Sequence, residues 1–355
     1  MKRILSVCLC ALFVLGILAM GGCSSKSPNE DSAKAPRSVV DMTGKTVNLP
    51  EKVDNYCVLY SSAVGLCGML DDGYAHVSIL PNLWIYEEWV YRLFPNLPEQ
   101  AITVNKKTVT AEQIIEEGAQ VVFWSNQSEE LIEALEDFGI ACVNIAFTSN
   151  EELARAANIV ADVLGTDYAK SMVEKFCKEL QLTETNMSEM SKKVSEEDKQ
   201  SVLFLGATDV TTAYGKPSYE YGWSSNLNIN YVMPADETVK KVDLTMEQIL
   251  EYDPDVIIIE GPVDEAIYSD PVWSELKAVK NRRIYASPYV FDVWPKSAVE
   301  SVVNYQWAFA TIYPEYASEI NLTQEIKEFY KTFFNYAMTD DEVAAILVGK
   351  TPIFD

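Results

Sequence analysis

Two α/β lobes joined by a helical connection are predicted by three features: short apolar runs bounded by turn residues, the return of that pattern after residue 200, and an internal helix-then-strand repeat. Strand-like runs occupy residues 56–60, 77–80, 121–124 and 142–147, several of them separated by helical stretches. They resume at residues 202–205, 256–259 and 284–286. The repeat sets Thr110-Ala-Glu-Gln-Ile-Ile-Glu-Glu-Gly-Ala-Gln-Val-Val against Thr245-Met-Glu-Gln-Ile-Leu-Glu-Tyr-Asp-Pro-Asp-Val-Ile.

In chain order, Lys2 and Arg3 precede an apolar run over residues 4–20, and Gly21-Gly22 precede Cys23. Basic, apolar and small residues in that order make residues 1–22 a lipoprotein signal peptide, with Cys23 offering its thiol for lipidation. An uncleaved anchor is the alternative reading, but the run is shorter than the ~20 residues that span a bilayer. Residues 23–38 hold almost nothing to bury and read as a lipidated flexible tether. The expected domains are residues 39–150 and 200–355, with residues 151–199 as the connection.

Within that connection, Ala169, Met172, Val173, Phe176 and Leu180 recur at helical spacing, which predicts one long helix after Gly165-Thr166. A single helix limits how far two lobes can swing, so closure should be modest. In the repeat, Thr110 and Thr245 can each cap a helix, with Gln113 and Gln248 completing a capping box. Glu112 and Glu247 then stand in a first turn, where the helix dipole favours a carboxylate. Taken alone, they are also what an ordinary well-capped helix start carries.

The chain has 28 Lys and Arg against 53 Asp and Glu, a formal charge of −25. Without Lys2 and Arg3 the balance is 26 to 53, or −27. That excludes nucleic acid as a partner, and most of the carboxylates read as solvated surface. Cys8 and Cys10 leave with the signal; Cys57, Cys67, Cys142 and Cys177 read as buried thiols, with a Cys57–Cys67 disulfide left open. His76 is the one histidine, too few imidazoles for direct capture of zinc or manganese. No GxSxG elbow accompanies it, and no enzyme is expected.

In these motifs the chain resembles the binding proteins of ABC importers for iron chelates, haem and cobalamin, the helical-backbone class. The marks run from about residue 39 to about residue 335: Asp41-Met-Thr-Gly-Lys-Thr-Val-Asn-Leu-Pro50, the two Thr-x-Glu-Gln-Ile units, Trp273-x-x-Leu-x-Ala-Val-Lys-x-x-Arg-Ile-Tyr285 and Ile312-Tyr-Pro-Glu-Tyr316. The resemblance implies two Rossmann-like lobes joined by a single long helix, with a ligand cleft between them. It implies a monomer without cofactor, lipid-anchored on the extracytoplasmic face of the cell membrane, that hands its ligand to a permease dimer and its ATPase. It also implies that Glu112 and Glu247 dock on permease arginines.

The family's ligand sits where strand ends converge on the cleft, as in α/β sheets generally. Candidates are Tyr60, Ser61, Trp84, Tyr86, Trp124 and Asn126 in the first lobe, with Trp124 leading. In the second lobe they are Tyr219, Tyr221 and Trp223, expected on a loop, then Tyr289, Phe291, Trp294 and Lys296. Ordinary packing is the competing explanation for each aromatic. Beyond the signal peptide arginines are few (Arg37, Arg92, Arg155, Arg282, Arg283), and only Arg92 and Lys296 are expected near the cleft. An aromatic, lightly basic cleft suits a bulky chelate with little net negative charge, or a tetrapyrrole such as cobalamin or haem; the resemblance puts an iron chelate of siderophore type first, as the commonest substrate of the family. An adhesion or sensory lipoprotein reusing the fold is a reading of another class, one that has no need of both docking glutamates.

Overall fold

The computed structural model describes residues 36–206, 211–234, 236–296 and 299–351; Cys23, the signal segment and nearly all of the tether lie outside them. A short antiparallel hairpin, β1 (Ser38–Val40) with β2 (Thr46–Asn48), opens the folded body. The first sheet follows: β3 (Tyr56–Val58), β4 (Val77–Pro81), β5 (Ile102–Val104), β6 (Val121–Trp124) and β7 (Ala141–Asn144). Its order is β5-β4-β3-β6-β7, parallel throughout. Helices cover both faces, which is why β3, β4 and β7 are buried along their whole length and read as continuous apolar runs.

The second sheet holds β8 (Ser201–Leu205), β9 (Thr212–Tyr214), β10 (Asn230–Tyr231), β11 (Lys241–Asp243), β12 (Val256–Ile259) and β13 (Ile284–Ala286). Strands β8, β12 and β13 are parallel, while β9 and β11 extend the sheet antiparallel. The expected class is observed: two parallel-sheet α/β lobes with helices between them.

Helix Asn150–Leu164 stops at Gly165, whose φ of +68° is the left-handed conformation that ends helices without strain. Thr166 then accepts a hydrogen bond from the Ala169 N–H and starts helix Asp167–Ser191. Its buried face is Ala169, Met172, Val173, Phe176 and Leu180, extended by Thr183, Met187 and Ser191. The lobes are tied by more than this helix. Helices Leu322–Phe334 and Asp340–Leu347, placed by sequence in the second lobe, cross to the first: Arg92 Nε donates to Glu342 Oε1 at 2.6 Å and to Tyr336 Oη at 2.9 Å. Arg92 is therefore engaged in a lobe-to-lobe strut and does not line the cleft.

The expected tether also ends early. Arg37 donates to the carbonyls of Pro50 and Glu51 at 3.1 Å and of Asp162 and Val163 at 2.8 Å, so it closes four backbone acceptors of the folded body. All four cysteines among the described residues are free thiols, which answers the open Cys57–Cys67 question. His76 Nδ1 lies 2.6 Å from Asp71 Oδ1 and its N–H meets Asp71 Oδ2 at 2.8 Å, a local clamp on the turn before β4.

Packing between the lobes is tight at Gly65. A Cβ there would stand 2.6 Å from Phe291 Cδ2 and 2.7 Å from Val299 Cγ1. Gly65→Ala is expected to cost about 1–3 kcal/mol by overpacking, seen as a thermal midpoint lowered by several degrees; an unchanged midpoint would show that the two lobes separate there freely.

Candidate functional site

The carboxyl ends of the strands in the two sheets face each other across a cavity of ≈ 430 Å³. From the first lobe it is lined by Ser61 and Val64 after β3, by Pro81 at the end of β4 with residues 82–84 and Tyr86 after it, and by residues 105–107 after β5. The second lobe supplies Phe291, Asp292 and Lys296, all after β13.

Of the residues expected from sequence, Ser61, Trp84, Tyr86, Phe291 and Lys296 come together here. Trp84 is 76% exposed at the cavity rim and has φ +54°, a left-handed backbone that is rare for a bulky residue and concentrates at functional sites. Tyr86 packs edge-on against Tyr289 with ring centroids 5.7 Å apart, so Tyr289 supports the wall from behind. Tyr60 is half-buried against Phe147 at 5.2 Å, and burial pushes its phenol up to about 12.

Others are elsewhere. Trp124 ends β6 as expected, but it packs against the layer of Cys57, Leu59 and Cys142 instead of lining the cavity. The expected loop at Tyr219–Trp223 is helix Tyr219–Ser224, capped by Ser218. Gly222 lets that helix approach the first lobe, since a Cβ there would stand 2.8 Å from the Thr148 carbonyl oxygen. Tyr219 is buried, donating to Asn150 Oδ1 and sharing a hydrogen bond with Ser301 Oγ, both at 2.7 Å. Tyr221 is half-buried against Tyr231. Trp223 is buried with Nε1 donating to the Pro295 carbonyl at 3.0 Å, and Trp294 is fully buried with Nε1 donating to Glu300 Oε1 at 3.1 Å. These aromatics fasten the second lobe's cleft loop to the core from beneath.

Residues that sequence reading missed change the chemistry. Lys106 and Lys107 line the first-lobe wall, and Lys106 Nζ donates to Ser61 Oγ at 2.7 Å. They follow β5, a strand of only three residues with two exposed, which leaves no apolar run to read. Burial holds the Lys106 ammonium below its usual range, partly offset by Asp292. On the opposite wall Lys296 Nζ donates to Glu260 Oε2 at 2.5 Å and to Tyr214 Oη at 2.9 Å. Burial acts to lower Lys296, but Glu260, Tyr214 and Glu220 outweigh it and keep the ammonium above its ordinary value. Glu220, buried behind it, is pushed up to about 7 by desolvation against the pull of Lys296. Among the described residues no three His, Cys, Asp or Glu side chains group to hold a metal ion.

Glu112 and Glu247 sit where the repeat puts them. Thr110 Oγ1 accepts from Gln113 N–H at 3.4 Å and Thr245 Oγ1 from Gln248 N–H at 3.3 Å, each reciprocated by the Gln side chain. Both carboxylates are exposed, and their own backbone N–H groups together with the Thr hydroxyls hold them below the usual range.

Residues 98–289 match the model of a family described as periplasmic binding protein. The molybdate-binding protein MolA of Haemophilus influenzae is 22% identical, over 88% of this chain and 95% of its own. A putative ABC transporter substrate-binding lipoprotein of Bacillus subtilis, YhfQ, is 28% identical, over 77% of this chain and 89% of its own. The crystal structure of a periplasmic solute binding protein from Veillonella parvula superposes with a TM-score of 0.77 at 22% identity, covering 88% of this chain and 96% of that one.

Proposed function

Because the chain belongs to the periplasmic binding protein family and is the substrate-binding component of an ABC transporter, we propose that its cargo is a compact, negatively charged metal chelate of the iron-complex kind. The observation that carries this reading is the pair Lys106 and Lys107 at the end of β5, facing Lys296 across the cavity. Ammonium groups recognise the oxygens of a chelator, while Trp84, Tyr86 and Phe291 offer apolar faces to its body.

A volume of ≈ 430 Å³ stands at the low end of the ~300–1,000 Å³ usual for small-molecule sites. That favours a small chelate over cobalamin or haem, which such a space does not enclose. A bare oxyanion is the second reading, favoured by the same lysines and by the name of the Haemophilus relative.

Titrations of the purified protein with ferric citrate, a ferric hydroxamate, haem, cobalamin and molybdate, read by tryptophan fluorescence, test the proposal. Tightest binding is expected for an anionic ferric chelate. Lys106→Met should weaken it about tenfold, the worth of one charge-assisted contact. Equal affinity in wild type and Lys106→Met overturns the role of this wall.

A further inference from the structure

We propose that Asp292 is the specificity-determining residue of the cleft: its carboxylate acts as a built-in anion that latches the two lobes together and turns away bare oxyanions in favour of cargo offering donors or a metal centre. This rests on the cavity being the cargo site.

The geometry is specific. Asp292 follows β13 in the second lobe and lines the cavity. Its Oδ1 accepts from Tyr86 Oη at 3.1 Å and from the Val293 N–H at 2.8 Å; its Oδ2 accepts from Ser62 Oγ at 3.3 Å. Tyr86 and Ser62 belong to the first lobe, on the segments after β4 and β3, so a single carboxylate bridges the cleft. Ser61, next to Ser62, holds Lys106 Nζ at 2.7 Å. The charged groups acting on Asp292 are therefore Lys106 from the first lobe and Lys296 and Glu260 from the second, with Tyr86 as its phenolic neighbour. The carboxylate thus occupies the field of two ammonium groups, the position an anionic cargo would seek.

The consequence follows from charge alone. An oxyanion that reaches Lys106 and Lys107 shares the cavity with a fixed like charge on Asp292. In a partly desolvated site such a charge lowers affinity by well over tenfold. A chelate differs because its edge can carry hydroxyl or amide donors, and its metal is itself positive; either can take over the Tyr86 and Ser62 role toward Asp292. Burial pushes the Asp292 carboxyl above its ordinary value, and Lys296, the Val293 N–H, Tyr86 and Ser62 offset part of that cost.

Molybdate is the probe, with binding read by calorimetry on the purified wild-type chain, Asp292→Asn, Lys106→Met and the double variant. Asp292→Asn keeps the acceptor oxygen and the shape, and is expected to bind molybdate at least tenfold tighter than wild type; adding Lys106→Met should remove that gain. Equal molybdate affinity in wild type and Asp292→Asn, including no binding by either, overturns the proposal. If Lys106→Met then weakens ferric citrate, the cleft still holds cargo and only the role of Asp292 fails; if it does not, the cleft reading fails as well. The latch is read separately by amide hydrogen exchange over residues 61–64 and 84–90. Faster exchange is expected in Asp292→Ala, with Asp292→Asn close to wild type; unchanged exchange in Asp292→Ala removes the latch. Should Asp292→Ala not fold, Ser62→Ala replaces it, with a smaller rise expected and an unchanged rate counting against the latch.

Discussion

Cys23→Ala is expected to move the protein from the membrane fraction into the medium without altering its fold. The residues before the cysteine run in the order of a lipoprotein signal: Lys2 and Arg3, apolar residues 4–20, then Gly21-Gly22. Among the described residues no helix is long and apolar enough to cross a membrane; the signal reading of residues 1–22 places attachment on acyl chains at Cys23. Each buried methylene is worth about 0.8 kcal/mol, and stable anchoring takes more than one chain. Loss of the thiol removes all of them at once, so the change should be close to complete. The fold should not respond, because the folded body is closed at Arg37 by its hydrogen bonds to four backbone carbonyls, 14 positions after Cys23. Fractionation with immunoblotting, beside a thermal melt of both proteins, measures the outcome. Retention of Cys23→Ala in washed membranes would mean that something other than lipid holds the chain there.

What was legible in the sequence was local. A Thr followed three residues later by Gln dictates a capping box because the donors and acceptors lie within one turn, and both boxes form. The helix Asp167–Ser191 was visible because its apolar stripe recurs over many turns. The cleft chemistry was not, for two physical reasons. Strand β5 has two of its three residues exposed, unlike the equally short β3, so no apolar run marks Lys106 and Lys107 as strand-end residues. The aromatics near turn-formers looked exposed, yet Trp223 and Trp294 are buried because Pro295 and Glu300 satisfy their indole N–H groups. Whether a tryptophan faces a cavity or the core depends on those partners, which composition does not reveal. Asp292 likewise acquires its meaning only when Ser62 and Tyr86, over 200 positions away, are brought to it.

Reversal of both repeat acids, Glu112→Lys with Glu247→Lys, is expected to abolish nearly all uptake through the cognate importer while leaving cargo affinity within about threefold. Each acid lies in the first turn of a helix whose start is fixed by a capping box, and each is exposed. Its own backbone N–H and the neighbouring Thr hydroxyl hold the carboxylate ionised to a lower pH than an ordinary glutamate, so docking should persist under mild acidity. A carboxylate already oriented by its turn meets a guanidinium with little further ordering, and a bidentate pair of that kind is among the stronger charged contacts. One acid stands on each lobe, and two similar lobes suit two similar permease subunits, the arrangement the family resemblance implies. Single reversals should lower uptake severalfold, because one contact survives; the double reversal sets two repulsive contacts where two attractive ones stood. Cargo affinity should move little, since neither acid lines the cavity and charges exposed to water are screened within about 10 Å at 0.1 M salt. Glu112→Gln with Glu247→Gln separates loss of attraction from added repulsion and should fall between wild type and the lysine pair. The measurement is transport into vesicles carrying the importer, beside a ligand titration of the same proteins. Full transport by the lysine pair would rule out docking through these residues, whereas lost cargo binding with an intact melt would reassign them to the cleft.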